Sequence, residues 1–260
     1  MNDLHPIARG FEQAAGAYER GRPGYPQPAL DALATALGIE PGARVVDVGA
    51  GTGKLTRALV ARGAEVVAVE PVVTMRAELE RALPGTAVLD GTAESLPLPD
   101  AAFDACVAAQ AFHWFAADRA LPELHRVLRP AGGLGVVFNR RDLSTPVQAA
   151  LDDLLAPDRG DTPTWANDDW LDALADSPWF ALTGLHRIPS VQQLDAAGFR
   201  ARVESISFVA PLTGAARRRV LDGASAIFAA HARDGSVALH YLTEVRVARR
   251  LDAPAASARP

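Results

Sequence analysis

Three glycines at alternate positions, Gly49, Gly51 and Gly53, close a short β-branched run, Val45-Val46-Asp47-Val48. A carboxylate, Glu70, ends the next apolar run. Glycines at a strand end let the backbone approach a nucleoside-type ligand where a Cβ would clash. An acidic residue about twenty positions further on stands at the second strand's carboxyl end, placed to accept hydrogen bonds from ribose hydroxyls. The chemistry is that of a nucleotide cofactor, with its kind left open. A dinucleotide fingerprint, G-x-G-x-x-G, needs a third glycine where Lys54 stands. Lys54 is not a phosphate-loop lysine either, since Val48 stands where that loop needs its first glycine and Leu55 where it needs Ser or Thr.

The tight G-x-G-x-G form with Glu70 resembles motif I of the class I S-adenosylmethionine-dependent methyltransferases, and the resemblance runs along the chain. Gly91-Thr92-Ala93-Glu94-Ser95-Leu96-Pro97-Leu98 is similar to the adenine-holding loop after the third strand, with Thr92 where many relatives carry Asp. Ala111-Phe112-His113-Trp114-Phe115 is similar to the segment after the fourth strand in one small-molecule branch. The run 121–133, ending Arg129-Pro130-Ala131-Gly132-Gly133, resembles the helix, proline stop and glycine turn before the fifth strand. Upstream, Phe11, Tyr18, Arg22, Pro23, Tyr25 and Pro26 fit the F-x6-Y-x3-R-P-x-Y-P segment of that branch. The branch resembled is methyltransferase type 11, which includes trans-aconitate methyltransferase-like enzymes. The match covers residues 11–140 closely and 185–250 loosely.

The resemblance implies S-adenosylmethionine as cofactor and S-adenosylhomocysteine as product. It places Gly49, Ala50, Gly51 and Gly53 against the amino-acid part of the cofactor, with Asp47 supporting its ammonium through the loop or a water. Glu70 takes the ribose hydroxyls, Pro71 and Met75 pack beside adenine, and Thr92, Ala93 and Glu94 reach the adenine edge. Gln110 and Ala111 leave the fourth strand beside the methionine moiety, and Tyr18 and Arg22 close over the cofactor. His113 and Trp114 face the acceptor, and His113 is the candidate general base, since imidazole accepts a proton near neutral pH. The alternative is that His113 only hydrogen-bonds acceptor or backbone while Trp114 fills the rim.

The elements that must position these residues alternate. Strands are expected near 44–48, 65–70, 86–90, 103–109 and 133–139, with helices near 53–62, 72–83 and 117–128. Parallel strands so connected need crossover helices, so the chain reads as α/β, a doubly wound, mostly parallel sheet of seven strands. Ligands bind such sheets at the strands' carboxyl ends, where the motifs after strands one to four all fall. Residues 1–40 form N-terminal helices (Phe11 to Arg20 and Leu30 to Leu37) and 41–140 the cofactor-binding core. Residues 141–184, with nine aspartates and Trp165, Trp170 and Trp179 but no strand pattern, are expected as a helical insertion lying over the acceptor. Residues 185–251 return to the core as a strand at 185–191, helices near 196–208 and 214–233 and a last strand from Val237 to Arg249. Residues 252–260 read as a disordered tail.

A net charge of −5 argues against a nucleic-acid groove, and Lys54 is the only lysine. The single Cys106 has no partner for an internal disulfide and lies in an apolar strand. The six histidines show no metal spacing, so no metal is expected. No apolar run approaches the ~18 residues that span a bilayer, which leads us to expect a cytoplasmic protein that binds neither membrane nor nucleic acid, as monomer or weak homodimer. The expected activity is methyl transfer to a small organic acceptor, at a hydroxyl or carboxylate oxygen, by direct in-line displacement. The rivals are a non-catalytic S-adenosylmethionine-binding regulatory protein and a nicotinamide-dependent oxidoreductase.

Overall fold

The computed structural model describes residues 15–160, 162 and 169–252. Phe11, Trp165 and most of the tail, which entered the expectations above, lie outside the described residues. Two helices, α1 (Ala15–Gly21) and α2 (Gln27–Leu37), precede the sheet. Pro28 stands in the first turn of α2, where its missing N–H costs nothing, and Gly38 stops the helix in a left-handed conformation.

The strands are β1 (Arg44–Val48), β2 (Glu65–Val69), β3 (Ala87–Leu89), β4 (Phe103–Ala109), β5 (Leu128–Arg141), β6 (Phe180–Leu194) and β7 (Val237–Arg250). They form one sheet in the order β3-β2-β1-β4-β5-β7-β6. The first five run parallel, joined through helices α3 (Lys54–Val60), α4 (Val73–Ala82) and α5 (Ala117–Val127). β7 is antiparallel to both neighbours and is inserted between β5 and β6. The order reverses at β1 and β4, so the ends of these two strands diverge into a crevice.

Alternation along the strands divides the core between the two faces. Val46, Val48, Cys106 and Ala108 pack with Leu121 and Leu124 of α5 on one side. Val45, Ala105 and Val107 pack with Leu30 and Leu33 of α2 and Leu55 and Leu59 of α3 on the other. Cys106 is a buried free thiol 3.8 Å from the Leu124 carbonyl oxygen, and burial pushes its pKa up.

Three expectations need correction. The segment Arg129-Pro130-Ala131-Gly132 does not precede the fifth strand. β5 begins at Leu128, paired with Phe103, and the register shifts before Ala105 meets Gly133. The segment is therefore a bulge within the ladder, with Ala131 at φ 63°. β6 starts at Phe180, five residues earlier than expected, inside the span given to a strandless insertion. The first helix after β6 stops at Glu204 rather than near 208.

That helix, α8 (Ala196–Glu204), and α9 (Gly214–His231) do not flank the sheet in the usual crossover manner. They join α6 (Pro146–Leu155) in one apolar cluster that includes Leu151, Phe199, Val203, Val220 and the β7 residues Leu239 and Tyr241. α7 (Asp169–Ala175) instead lies beside α5. Trp170, its centroid 5.7 Å from Phe112 and 5.0 Å from Phe138, is buried in the main core. Trp179 packs on His125 at 4.9 Å. No helix among the described residues is long and apolar enough to cross a membrane.

Candidate cofactor and acceptor site

The loop after β1 is tied to the end of β2 before any ligand is considered. The N–H groups of Gly49 and Ala50 donate to the Val69 carbonyl, at 2.8 and 3.2 Å. Gly49 takes φ +68°, and a Cβ there would stand 2.7 Å from that of Ala111. Glycine is needed at this position because the segment after β4 passes directly over it.

Glu70, 5% exposed, clamps the loop from the side. Its Oε2 accepts from the Gly51 N–H at 2.8 Å and its Oε1 from the Val72 N–H at 2.9 Å. Burial pushes its pKa up, and the two backbone donors oppose the shift. Each oxygen keeps a lone pair for a further donor.

Asp47, 1% exposed, points below the loop. Its Oδ2 accepts from Thr56 Oγ1 at 2.6 Å, and its Oδ1 has no partner. Burial raises the pKa to about 7.

The cavity, about 120 Å³, opens at the carboxyl ends of β1, β2 and β4 and the loop after β3. Of the residues singled out in the sequence, Tyr18, Gly49, Gly51, Glu70, Pro71, Met75, Thr92, Ala93, Glu94, Gln110, Ala111 and Trp114 line it. Val72, Gly91, Ala109 and Phe115 line it too and were not singled out. Gly91 and Phe115 lie inside the quoted motifs, so position alone would have found them. Arg22, Asp47, Ala50, Gly53 and His113 are not on the wall. Gly53 instead caps α3, where a Cβ would stand 2.8 Å from Leu79.

Among the described residues two carboxylates, Glu70 and Glu94, line the cavity, and no arginine or lysine does. Glu94 Oε1 accepts from the Ala116 N–H at 2.8 Å, which ties this wall residue to the start of α5. Gln110 holds φ +58° immediately after β4, anchored by its N–H on the Val137 carbonyl at 2.9 Å. A left-handed conformation is uncommon outside glycine and accumulates at functional sites.

α1 closes one side of the cavity through a contact that spacing gave no hint of. Glu19 Oε1 pairs with Arg57 at 2.6 Å, its Oε2 accepts from Thr52 Oγ1 at 2.6 Å, and its carbonyl accepts from Lys54 Nζ at 2.9 Å. Lys54, which excludes the dinucleotide and phosphate-loop readings, thus fastens α1 to the glycine loop and places Tyr18 over Gly51.

His113 sits in a 3-10 turn, Phe112–Trp114, beside Trp114 and Phe138 at 4.9 and 5.4 Å. Its Nδ1 is buried without a partner. Burial first, and the Arg22 guanidinium second, push its pKa down to about 3.

Residues 46–136 match the family model described as a methyltransferase domain of type 11. An uncharacterized methyltransferase of Mycobacterium tuberculosis strain H37Rv is 39% identical over 240 residues, covering 91% of this chain and 94% of the relative. The chain belongs to the class I methyltransferases, in the type 11 branch. A solved structure from Anaeromyxobacter dehalogenans, assigned as a type II methyltransferase, superposes with TM-score 0.68 at 25% identity, covering 88% of this chain and 97% of that one. Geranyl diphosphate C-methyltransferase of Streptomyces coelicolor A3(2), solved with S-adenosylhomocysteine, shares the fold at TM-score 0.50 and 14% identity, covering 86% and 76%.

The cofactor of this methyltransferase is S-adenosylmethionine, and the residues present fit it. Gly49 and Gly51, the loop residues on the wall beside Glu70, carry no Cβ and leave room for the ribose and methionine parts. Pro71, Val72, Met75 and Phe115 supply apolar walls for a purine. Asp47 is off the wall, but its unpartnered Oδ1 is an acceptor that suits an ammonium through a water. Among the described residues no cluster of histidine, cysteine or acidic side chains could hold a metal ion.

Proposed function

We propose that this methyltransferase moves a methyl group to an oxygen of a small organic acceptor by direct in-line displacement. The observation that carries the reading is the convergence on one cavity of the loops after β1, β2, β3 and β4, with Gln110, Ala111 and Trp114 of the segment after β4 in its wall. When bound, S-adenosylmethionine supplies a methyl group already activated on a sulfonium. The protein's task is then to hold acceptor and methyl carbon close and collinear, and such positioning accounts for ~7–11 kcal/mol of a barrier.

In this reading Glu70 accepts from the ribose hydroxyls while its backbone partners hold it still. Pro71, Val72 and Met75 pack on adenine, and Thr92 and the Ala93 backbone meet its edge. Gly49, Ala50 and Gly51 run beside the methionine part. Gly53 shapes the helix start, and Glu94 positions the loop through Ala116 rather than touching adenine. Tyr18 covers the methionine end, with Arg22 behind it.

His113 does not enter the proposal as a general base. A proton acceptor works best with a pKa near the working pH, and burial holds this imidazole neutral and weakly basic. We place it at the acceptor end as a neutral hydrogen-bonding group. Trp114 supplies a flat apolar wall there. α7 is too deeply packed, through Trp170, to slide over the acceptor, so the covering elements in this reading are α1 and α8.

The test is a screen of small hydroxy compounds, carboxylic acids, amines and carbon nucleophiles with methyl-labelled S-adenosylmethionine, reading labelled product and S-adenosylhomocysteine together. Equal amounts of both from at least one acceptor support the proposal. Label arriving only on nitrogen or carbon acceptors overturns the choice of oxygen.

A further inference from the structure

A second, smaller pocket adjoins the cavity where Gln110 and Tyr18 stand in the wall of both. Behind them Arg22, the residue after α1, and Arg202 from α8 line the same space, with Lys54 of α3, Asn139 of β5 and Tyr241 of β7. Its enclosed volume is about 10 Å³, room for one water or one carboxylate oxygen.

Both guanidiniums are under-paired. Arg202 is 4% exposed, its Nε donates to the Tyr241 hydroxyl at 3.1 Å, and its Nη1 has no partner. Arg22 Nη2 donates to the Ser205 carbonyl at 3.0 Å, its Nε has no partner, and its guanidinium carbon lies 5.2 Å from the Tyr18 ring centroid. Among the described residues neither forms an ion pair with a carboxylate. The nearby acids are committed elsewhere, Glu204 to Arg200 and Arg217, and Asp152 to Arg141 and Arg159. Burial and the neighbouring Arg202 lower the Arg22 pKa to about 10, which still leaves it charged at neutral pH. Lys54 has Glu19 at 3.6 Å, but Arg22 and Arg202 have no counter-ion among the described residues, and two such buried cations around one small pocket are unfavourable unless an anion joins them. Asn139 is no substitute, since its amide is spent on the Gly24 carbonyl and the Thr243 hydroxyl.

We infer that Arg22 and Arg202 bind a carboxylate of the methyl acceptor, which makes the acceptor a small carboxylic acid and the product its methyl ester. The inference rests on the methyltransferase reading above and narrows it. A carboxylate with one oxygen between the guanidiniums presents the other towards the cavity, past Gln110 and Tyr18. A lone pair on that oxygen forms the new O–CH3 bond while the S–CH3 bond breaks, its electron pair remaining on sulfur. The charges of sulfonium and carboxylate cancel, giving a neutral thioether and a neutral ester. No proton is released, so no base is needed, in keeping with a His113 that is a poor one. The ester no longer pairs with the guanidiniums, which favours its departure.

The methionine part of the cofactor also carries a carboxylate, so the test must separate the two sources. Calorimetry compares wild-type protein, Arg202→Met and Arg202→Lys, first with S-adenosylhomocysteine and with 5′-methylthioadenosine, which lacks the amino-acid part. Acetate, benzoate and succinate are then titrated into the protein saturated with S-adenosylhomocysteine, with their amides as controls. The inference expects at least one acid and no amide to bind. Arg202→Met should weaken acid binding by about a hundredfold and leave both adenosyl ligands unaffected, with partial recovery in Arg202→Lys. The lysine variant also serves if the methionine variant does not fold. Three results overturn it: no acid binds the wild-type complex, acid binding survives in both variants, or Arg202→Met loses S-adenosylhomocysteine while keeping 5′-methylthioadenosine. The last result would assign the guanidiniums to the cofactor's own carboxylate, and a lone buried water would give the first. Failure of the wild-type protein to bind S-adenosylhomocysteine at all would instead defeat the underlying methyltransferase reading.

Discussion

Replacing Glu70 by Gln keeps the size of the side chain and changes only its charge and one donor. In the free protein both carboxylate oxygens accept a backbone N–H, from Gly51 at 2.8 Å and Val72 at 2.9 Å. A glutamine offers one oxygen and one NH2, so one of these N–H groups must face a donor. Leaving a buried N–H unsatisfied costs about 1–3 kcal/mol, and that loss should appear in chemical denaturation of the free protein. Binding loses more. In our reading the remaining lone pairs accept from the ribose hydroxyls, and at least one charge-assisted bond of ~1.5–3 kcal/mol disappears. That corresponds to about ten- to hundredfold weaker binding of S-adenosylhomocysteine. Calorimetry measures the second quantity directly. Unchanged affinity in a folded Glu70→Gln protein would refute the ribose assignment, and unchanged stability would refute the clamp on Gly51 and Val72.

The loop after β1 and Asp47 within β1 give two further predictions. Gly49→Ala places a Cβ 2.7 Å from that of Ala111 at φ +68°, so it should cost about 1–3 kcal/mol. Gly51→Ala, whose nearest atom is Tyr18 Cε1 at 4.0 Å, should cost less; equal losses in denaturation would contradict the packing argument. Asp47 has its folded pKa raised from the usual 3.8 to about 7. Its protonated form is therefore favoured in the folded state, and its contribution to stability is fully present below pH 3.8 and lost as pH rises towards about 7. Asp47→Asn should flatten the thermal stability of the free protein across that window relative to wild type; parallel pH profiles would count against the burial argument.

The cofactor half of the site was legible because its signals are local. The glycines after β1, the carboxylate after β2 and the loop after β3 each do their work within a few residues of where they stand in the chain. The same locality misled at Pro130 and Gly132, which read as a stop before a strand but form a bulge inside one, because pairing of Leu128 with Phe103 outweighs the local turn preference. Long-range partners left no trace. Glu19 meets Arg57 across 38 residues and Arg22 meets the Ser205 carbonyl across 183, and neither has a spacing to read. His113 was picked from its place after β4, which carries nothing of its surroundings; its burial against Phe138 and the nearness of Arg22 lower its basicity. The tryptophans of 141–184 suggested a cover over the acceptor by composition, whereas Trp170 is a core residue and Trp179 packs on His125.

The most direct test of the account is calorimetric titration of the purified protein with S-adenosylmethionine, S-adenosylhomocysteine and NAD. The account predicts saturable one-to-one binding of the two adenosyl ligands, in the micromolar range of about −8 kcal/mol, and no heat from NAD. Binding of NAD in preference to S-adenosylhomocysteine, or no binding of any of the three by folded protein, would contradict it.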